Sequence, residues 1–122
     1  HLTITSNGSI YNNHASNTHF GLNALSSVTS ADESTAFGNN ALGSQQTNRN
    51  TAFGFHALQD LSTGNYNTAV GGEALENITT GQSNIALGAF AGRLETTTDK
   101  DVVNGIQKEP PLSVYSKGPP AP

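Results

Sequence analysis

Cysteine, methionine and tryptophan are all absent from this 122-residue chain, and charged side chains make up only 11% of it. Without cysteine there is no disulfide framework and no thiolate metal site, a usage that fits a secreted or a cytosolic origin equally. Apolar residues reach 34%, below the roughly 45–50% of ordinary globular domains on a count that also includes Gly. The mild net charge of −4 leaves no electrostatic footprint for nucleic acid. No run approaches the roughly 18 apolar residues of a membrane span, so membrane insertion is not expected. No signal peptide is visible, and with His1 first and no Met the chain reads as a mature product or an excised fragment. There is no nucleophile elbow, P-loop or dinucleotide fingerprint, and nothing pairs the abundant Ser with a base. The expectation is a protein that is not an enzyme and uses no cofactor and no metal.

What is present is Asn, Thr, Ser and Gly. Disordered chains usually combine low hydrophobicity with high net charge, and here the charge is small. One domain of this length with so few large packing groups cannot build a large core alone. Its stability must come from backbone ladders, from burial between chains, or from both.

The order lies in a repeat. Five segments align: Asn17-Thr-His-Phe-Gly-Leu-Asn-Ala-Leu25, Ser34-Thr-Ala-Phe-Gly-Asn-Asn-Ala-Leu42, Asn50-Thr-Ala-Phe-Gly-Phe-His-Ala-Leu58, Asn67-Thr-Ala-Val-Gly-Gly-Glu-Ala-Leu75 and Asn84-Ile-Ala-Leu-Gly-Ala-Phe-Ala-Gly92. Their glycines, Gly21, Gly38, Gly54, Gly71 and Gly88, are spaced by 17, 16, 17 and 17 residues. The second half of the unit carries an apolar residue three positions after the Leu, at Val28, Leu61 and Ile78, with Gln45 the exception. A polar turn follows, Ser62-Thr63-Gly64-Asn65 and Thr79-Thr80-Gly81-Gln82 in the best copies, where Gly marks a positive φ.

About 17 residues is too short for helical-hairpin or leucine-rich repeats and fits one coil of a β-solenoid, two short strands and two turns. Alternation in Asn-Thr-Ala-Phe-Gly puts Asn50, Ala52 and Gly54 on one face and Thr51 and Phe53 on the other. Stacking then produces an Asn ladder (Asn17, Asn50, Asn67, Asn84), a small inward Ala/Gly column with no room for large side chains, and an outward apolar column of Phe20, Phe37, Phe53, Val70 and Leu87. Asn side chains stacked this way hydrogen-bond along the axis. An exposed apolar column is what soluble monomers avoid, so the pattern implies oligomerisation. Three columns packed about a threefold axis would bury it.

The unit Asn-Thr-Ala-Phe/Val-Gly-x-x-Ala-Leu, followed by a Thr-Thr-Gly turn, resembles the repeats of phage tail fibres and large-virus attachment proteins. It is also similar to the head repeats of trimeric autotransporter adhesins. The resemblance covers residues 17 to about 94. It implies a parallel β-roll or β-helix built as an intertwined homotrimer and displayed outside the cell or virion. The adhesin repeat is shorter, which implies longer turns here. His19 for Ala, Ser34 for Asn, Ile85 for Thr and Gly92 for Leu are departures, and degenerate terminal units are expected of caps.

The expected organisation is a cap or imperfect first coil over residues 1–16, a five-coil solenoid over 17–94, and a non-repetitive, Pro-rich arm or linker over 95–122. The first segment holds two short alternating stretches around Asn7-Gly8, a hairpin signal, and Val102-Val103 reads as one short strand followed by a turn at Asn104-Gly105. Four histidines, His1, His14, His19 and His56, have no metal-ligand spacing. A threefold axis gathering His14 and His19 is outweighed by surface or packing roles. Asp32-Glu33 and Glu73/Glu76 read as solvated turn charges, and the sequons at Asn7 and Asn77 are incidental in so Asn- and Thr-rich a chain.

The resulting functional expectation is an extracellular, virion or cell-surface fibre module that attaches to a host surface, with glycan as ligand. It would be a rod of five coils, on the order of 25 Å long, whose turns display weak contacts that sum by multivalency. The variable positions Tyr66, His56, Glu73, Asn40, Asn23 and Gln82 are the candidate ligand-binding residues, with Tyr66 and His56 the sugar-stacking pair. A passive structural spacer that binds nothing is the rival reading. Ice binding by the Thr column (Thr18, Thr35, Thr51, Thr68) is weaker, because that column lies beside bulky apolar residues.

Overall fold

The computed structural model describes residues 3–4, 10–11, 16–27, 33–44, 48–94, 96–97, 99 and 102–105. The described strands are β1 (Thr3–Ile4), β2 (Ile10–Tyr11), β3 (Thr18–Phe20), β4 (Thr35–Phe37), β5 (Thr51–Phe53), β6 (Thr68–Val70), β7 (Ile85–Leu87) and β8 (Val102–Asn104). Strands β3 to β8 form one parallel sheet in sequence order, each pairing with the next one coil later. The chain is an all-β parallel solenoid with coils of about 17 residues.

Register stacks like on like. Thr35 pairs with Thr51, Ala36 with Ala52 and Phe37 with Phe53, and the same offset continues through β6 and β7. The reason is the repeat: a slip by one residue would turn every Ala outward and every Phe inward. Ala36, Ala52, Ala69 and Ala86 are fully buried at the strand centres. The residues on either side of them point the other way and remain partly or wholly accessible.

The interior holds more than small residues. Leu42, Leu58, Leu61, Leu75 and Ile78 are completely buried, which corrects the expectation of a core with no room for large side chains. The centres of β4 to β7 contribute only Ala methyls, so space remains between the two halves of the coil. The return half fills it with Leu and Ile. Leu58 and Leu75 do so with φ of 53° and 50°. That left-handed conformation costs an L-residue about 1–2 kcal/mol, and fully burying the side chain offsets it with about 1.5–3 kcal/mol.

Glycine recurs at the end of each strand because the next coil lies against it. A Cβ at Gly54 would overlap the carbonyl oxygen of Gly71, and its φ is 142°. The second half of the coil is less regular than the two-strand coil expected from the sequence. There the described residues form a single bridge, Thr63 to Thr80, beside hydrogen bonds such as Ser62 N–H to Thr79 O. The positive φ of Gly64 and Gly81 next to this bridge turns the chain before a longer strand can develop.

The sheet also runs one rung beyond residue 94. Val102, Val103 and Asn104 pair in register with Ile85, Ala86 and Leu87, so β8 is a rung of the solenoid beyond the expected 17–94 span. Val103 occupies the Ala column and is buried, and Gly105 stands 17 residues after Gly88. At the other end, β1 and β2 pair with each other, antiparallel, as a separate two-stranded sheet. The Asn7-Gly8 turn, His1, His14, Val28, Asp32, Gln45 and the Pro-rich segment from Glu109 onward lie outside the described residues.

Candidate functional site

The strand face is an exposed apolar strip. Phe20 is 62% accessible, Phe53 54%, Val70 39% and Leu87 46%, while Phe37 is half-buried between its neighbours. The rings of Phe20, Phe37 and Phe53 stack in sequence, with centroids 6.2 and 5.2 Å apart. Thr18, Thr35, Thr51, Thr68, Ile85 and Val102 form the parallel column on the same face, and exposed Leu22 and Phe55 continue it just past the strand. No charged residue occurs in either column.

The six candidate ligand residues fall into three separate columns. Asn23, Asn40, His56 and Glu73 line one of them, after the strand, with φ between 55° and 58°, and Phe90 at 60° extends it. The turn Gly-x-x-Ala closes here: Ala57 N–H donates to Gly54 O, and the third residue must turn left-handed to allow it. Asn tolerates that conformation best among non-glycine residues. His56 is held on both ring nitrogens, Nδ1 lying 2.9 Å from Glu76 Oε1 and Nε2 3.1 Å from Asn40 Nδ2. One neutral tautomer satisfies both, with Nδ1–H donating to the carboxylate and Nε2 accepting from the amide. The Phe55 ring stacks on the His56 imidazole at 3.7 Å. Glu73 accepts from Arg93 Nη1 at 3.1 Å, and the Arg93 guanidinium lies 5.2 Å from the Phe90 ring centre.

Tyr66 belongs to the column before the strand, with Ser16, Glu33, Arg49 and Ser83, all at φ of 60–64°. Arg49 Nη1 donates to the Tyr66 hydroxyl at 3.0 Å, its guanidinium sits over the ring, and its Nε donates to Glu33. The Glu33 hydrogen bond, and after it that of Tyr66, raises the Arg49 pKa above its ordinary value, so this exposed group is always charged. Tyr66 and His56 therefore sit at opposite ends of the strands, and the fold does not bring the expected stacking pair together.

Gln82 lies in a third place, an open groove lined with Thr63, Gly64, Thr80, Gly81, Thr97 and Asp99. Its backbone N–H donates to Asp99 Oδ1 at 2.8 Å. Sequence reasoning took Thr63 and Thr80 only as turn residues. The 17-residue step from Thr63 to Thr80 to Thr97 was the signal that could have identified the groove. Among the described residues no group of three His, Cys, Asp or Glu side chains is placed to hold a metal ion, and no helix is long and apolar enough to cross a membrane. The chemistry these columns offer is hydrogen bonding and stacking. No family model, curated protein or solved structure matches the chain.

Proposed function

We propose that the chain is a structural and adhesive module of an extracellular or virion fibre, assembled as a homotrimer through its strand faces and presenting its turns to host-surface glycan. The observation that carries this reading is the uncharged strip of Phe20, Phe37, Phe53, Val70 and Leu87 with its flanking Thr, Ile and Val column. Exposed apolar surface of that continuity marks an interaction site. Its in-register repetition and its lack of charge suit a second copy of itself, since each rung offers the same kind of group to a like rung. Burying one such Phe would contribute about 1.5–3 kcal/mol, and five rungs repeat the gain. The number three comes from the likeness of the repeat to trimeric fibre and adhesin modules. In this assembly the turn columns stay outward, and weak contacts along each coil are multiplied by the chains.

A passive spacer is favoured by a different observation. The polar edges of His56 and the hydroxyl of Tyr66 are already occupied by Asn40, Glu76 and Arg49. Glycan-array binding by the purified protein separates the two readings. Selective retention of host-type glycans supports attachment, whereas a trimer that binds no glycan supports the spacer.

A further inference from the structure

We propose that the groove of Thr63, Thr80 and Thr97, closed by Gln82 and Asp99, is a subsite for a neutral carbohydrate chain laid along the solenoid axis. The ligand class rests on the attachment reading above, and the location rests on the groove itself. Its volume is about 280 Å³. Gly64 and Gly81 form its floor with φ of 137° and 148°. A Cβ at Gly64 would run into the carbonyl oxygen of Gly81, so the stacking of coils itself keeps side chains out of the floor.

Two neighbouring hydroxyl columns in these turns have different tasks. Ser62 Oγ donates to Thr79 O at 2.8 Å and Thr79 Oγ1 donates to Thr96 O at 3.1 Å, tying coil to coil. One residue further on, Thr63, Thr80 and Thr97 are exposed and line the groove, and their hydroxyls make no hydrogen bond to a described residue. Each can donate and accept. They recur at the coil spacing of about 4.8 Å, a periodic row that suits a ligand with hydroxyls repeated along an extended chain. The Thr methyl groups give the C–H faces of a sugar an apolar contact.

Charge narrows the class. Asp99 is the one charged residue lining the groove among the described residues, and Gln82 N–H occupies its Oδ1 while leaving it an acceptor. A carboxylate there disfavours phosphorylated, sulfated or sialylated chains and accepts hydrogen bonds from neutral sugar hydroxyls. Gln82 adds an amide that donates and accepts. With no aromatic platform among the described residues of the groove, single-site affinity is weak and the repeated array supplies avidity.

The test titrates the full chain with neutral oligosaccharides of the cello-, chito- and manno-series and follows the backbone amide resonances. Binding should shift Thr63, Gly64, Thr80 and Gly81. The combined Thr63→Val, Thr80→Val and Thr97→Val variant keeps the shape and the methyls, should retain its Tm, and should bind about tenfold more weakly. Tyr66→Ala with His56→Ala should leave the affinity unchanged. Shifts confined to the other columns, with the valine variant binding normally, would overturn the groove while leaving the attachment reading standing. No shift with any of these probes, together with a blank glycan array, would overturn both.

Discussion

The side-chain amide of Asn84 donates to the side-chain oxygen of Asn67 at 2.9 Å, and Asn67 donates in the same way to Asn50 at 3.1 Å. The same oxygens also accept the backbone N–H groups of Asn84 and Asn67, at 3.0 and 2.9 Å. Each of these asparagines is fully buried, and the inward polar column is stable here because Asn50 and Asn67 both donate and accept along it and Asn84 donates into it.

Asn67→Ala should therefore cost on the order of 3 kcal/mol, since it removes the oxygen that accepts both the backbone and the side-chain amide of Asn84 and the amide that donates to the Gly81 carbonyl. Asn67→Asp should be at least as damaging, because a carboxylate cannot donate to Gly81 O. Urea denaturation of the two variants checks both, and a loss below about 1 kcal/mol for either would show the ladder to be incidental.

Neighbouring glycines should behave oppositely. At Gly71 a Cβ would overlap Gly88 O and φ is 138°, while at Gly72 a Cβ would meet nothing within 4 Å. Gly71→Ala should disrupt the stacking of coils, a loss of several kcal/mol. Gly72→Ala should stay within about 0.5 kcal/mol of the parent. Thermal unfolding of the pair decides it, and equal Tm values would contradict the packing described.

Tyr66 tests whether the left-handed corner column binds ligand or only braces the coils. Its hydroxyl serves Arg49, an exposed contact worth little to stability. Tyr66→Phe should leave Tm unchanged. It should also leave any glycan affinity unchanged if the Thr groove is the subsite, and a large loss of binding would return the site to this corner.

The repeat made the coil length, the inward Ala and the outward Phe legible, because a period of about 17 residues forces like onto like. It did not reveal what lies between the halves of the coil. Leu58 and Leu75 look like ordinary apolar residues in the sequence, and their left-handed backbone comes from the closing turn and not from their own preference. The rung at β8 escaped because Val103 replaces Ala and Asn104 replaces the apolar residue, leaving only Gly105 in phase. Among the candidate site residues, variability picked out Asn23, Asn40, His56 and Glu73, which the fold places in one column. It missed the Thr groove, whose residues are regular.

The exposed strand face makes a direct demand on assembly. Phe53→Glu places a carboxylate in the middle of the strip, opposite the stacked Phe37 ring, and should leave the coil intact because Phe53 is outward. The measurement that tests the account most directly is the mass of parent and variant in solution by light scattering. The account predicts a parent at three times 12.6 kDa and a folded Phe53→Glu chain at 12.6 kDa. A parent that is itself a 12.6 kDa monomer at high concentration would contradict it.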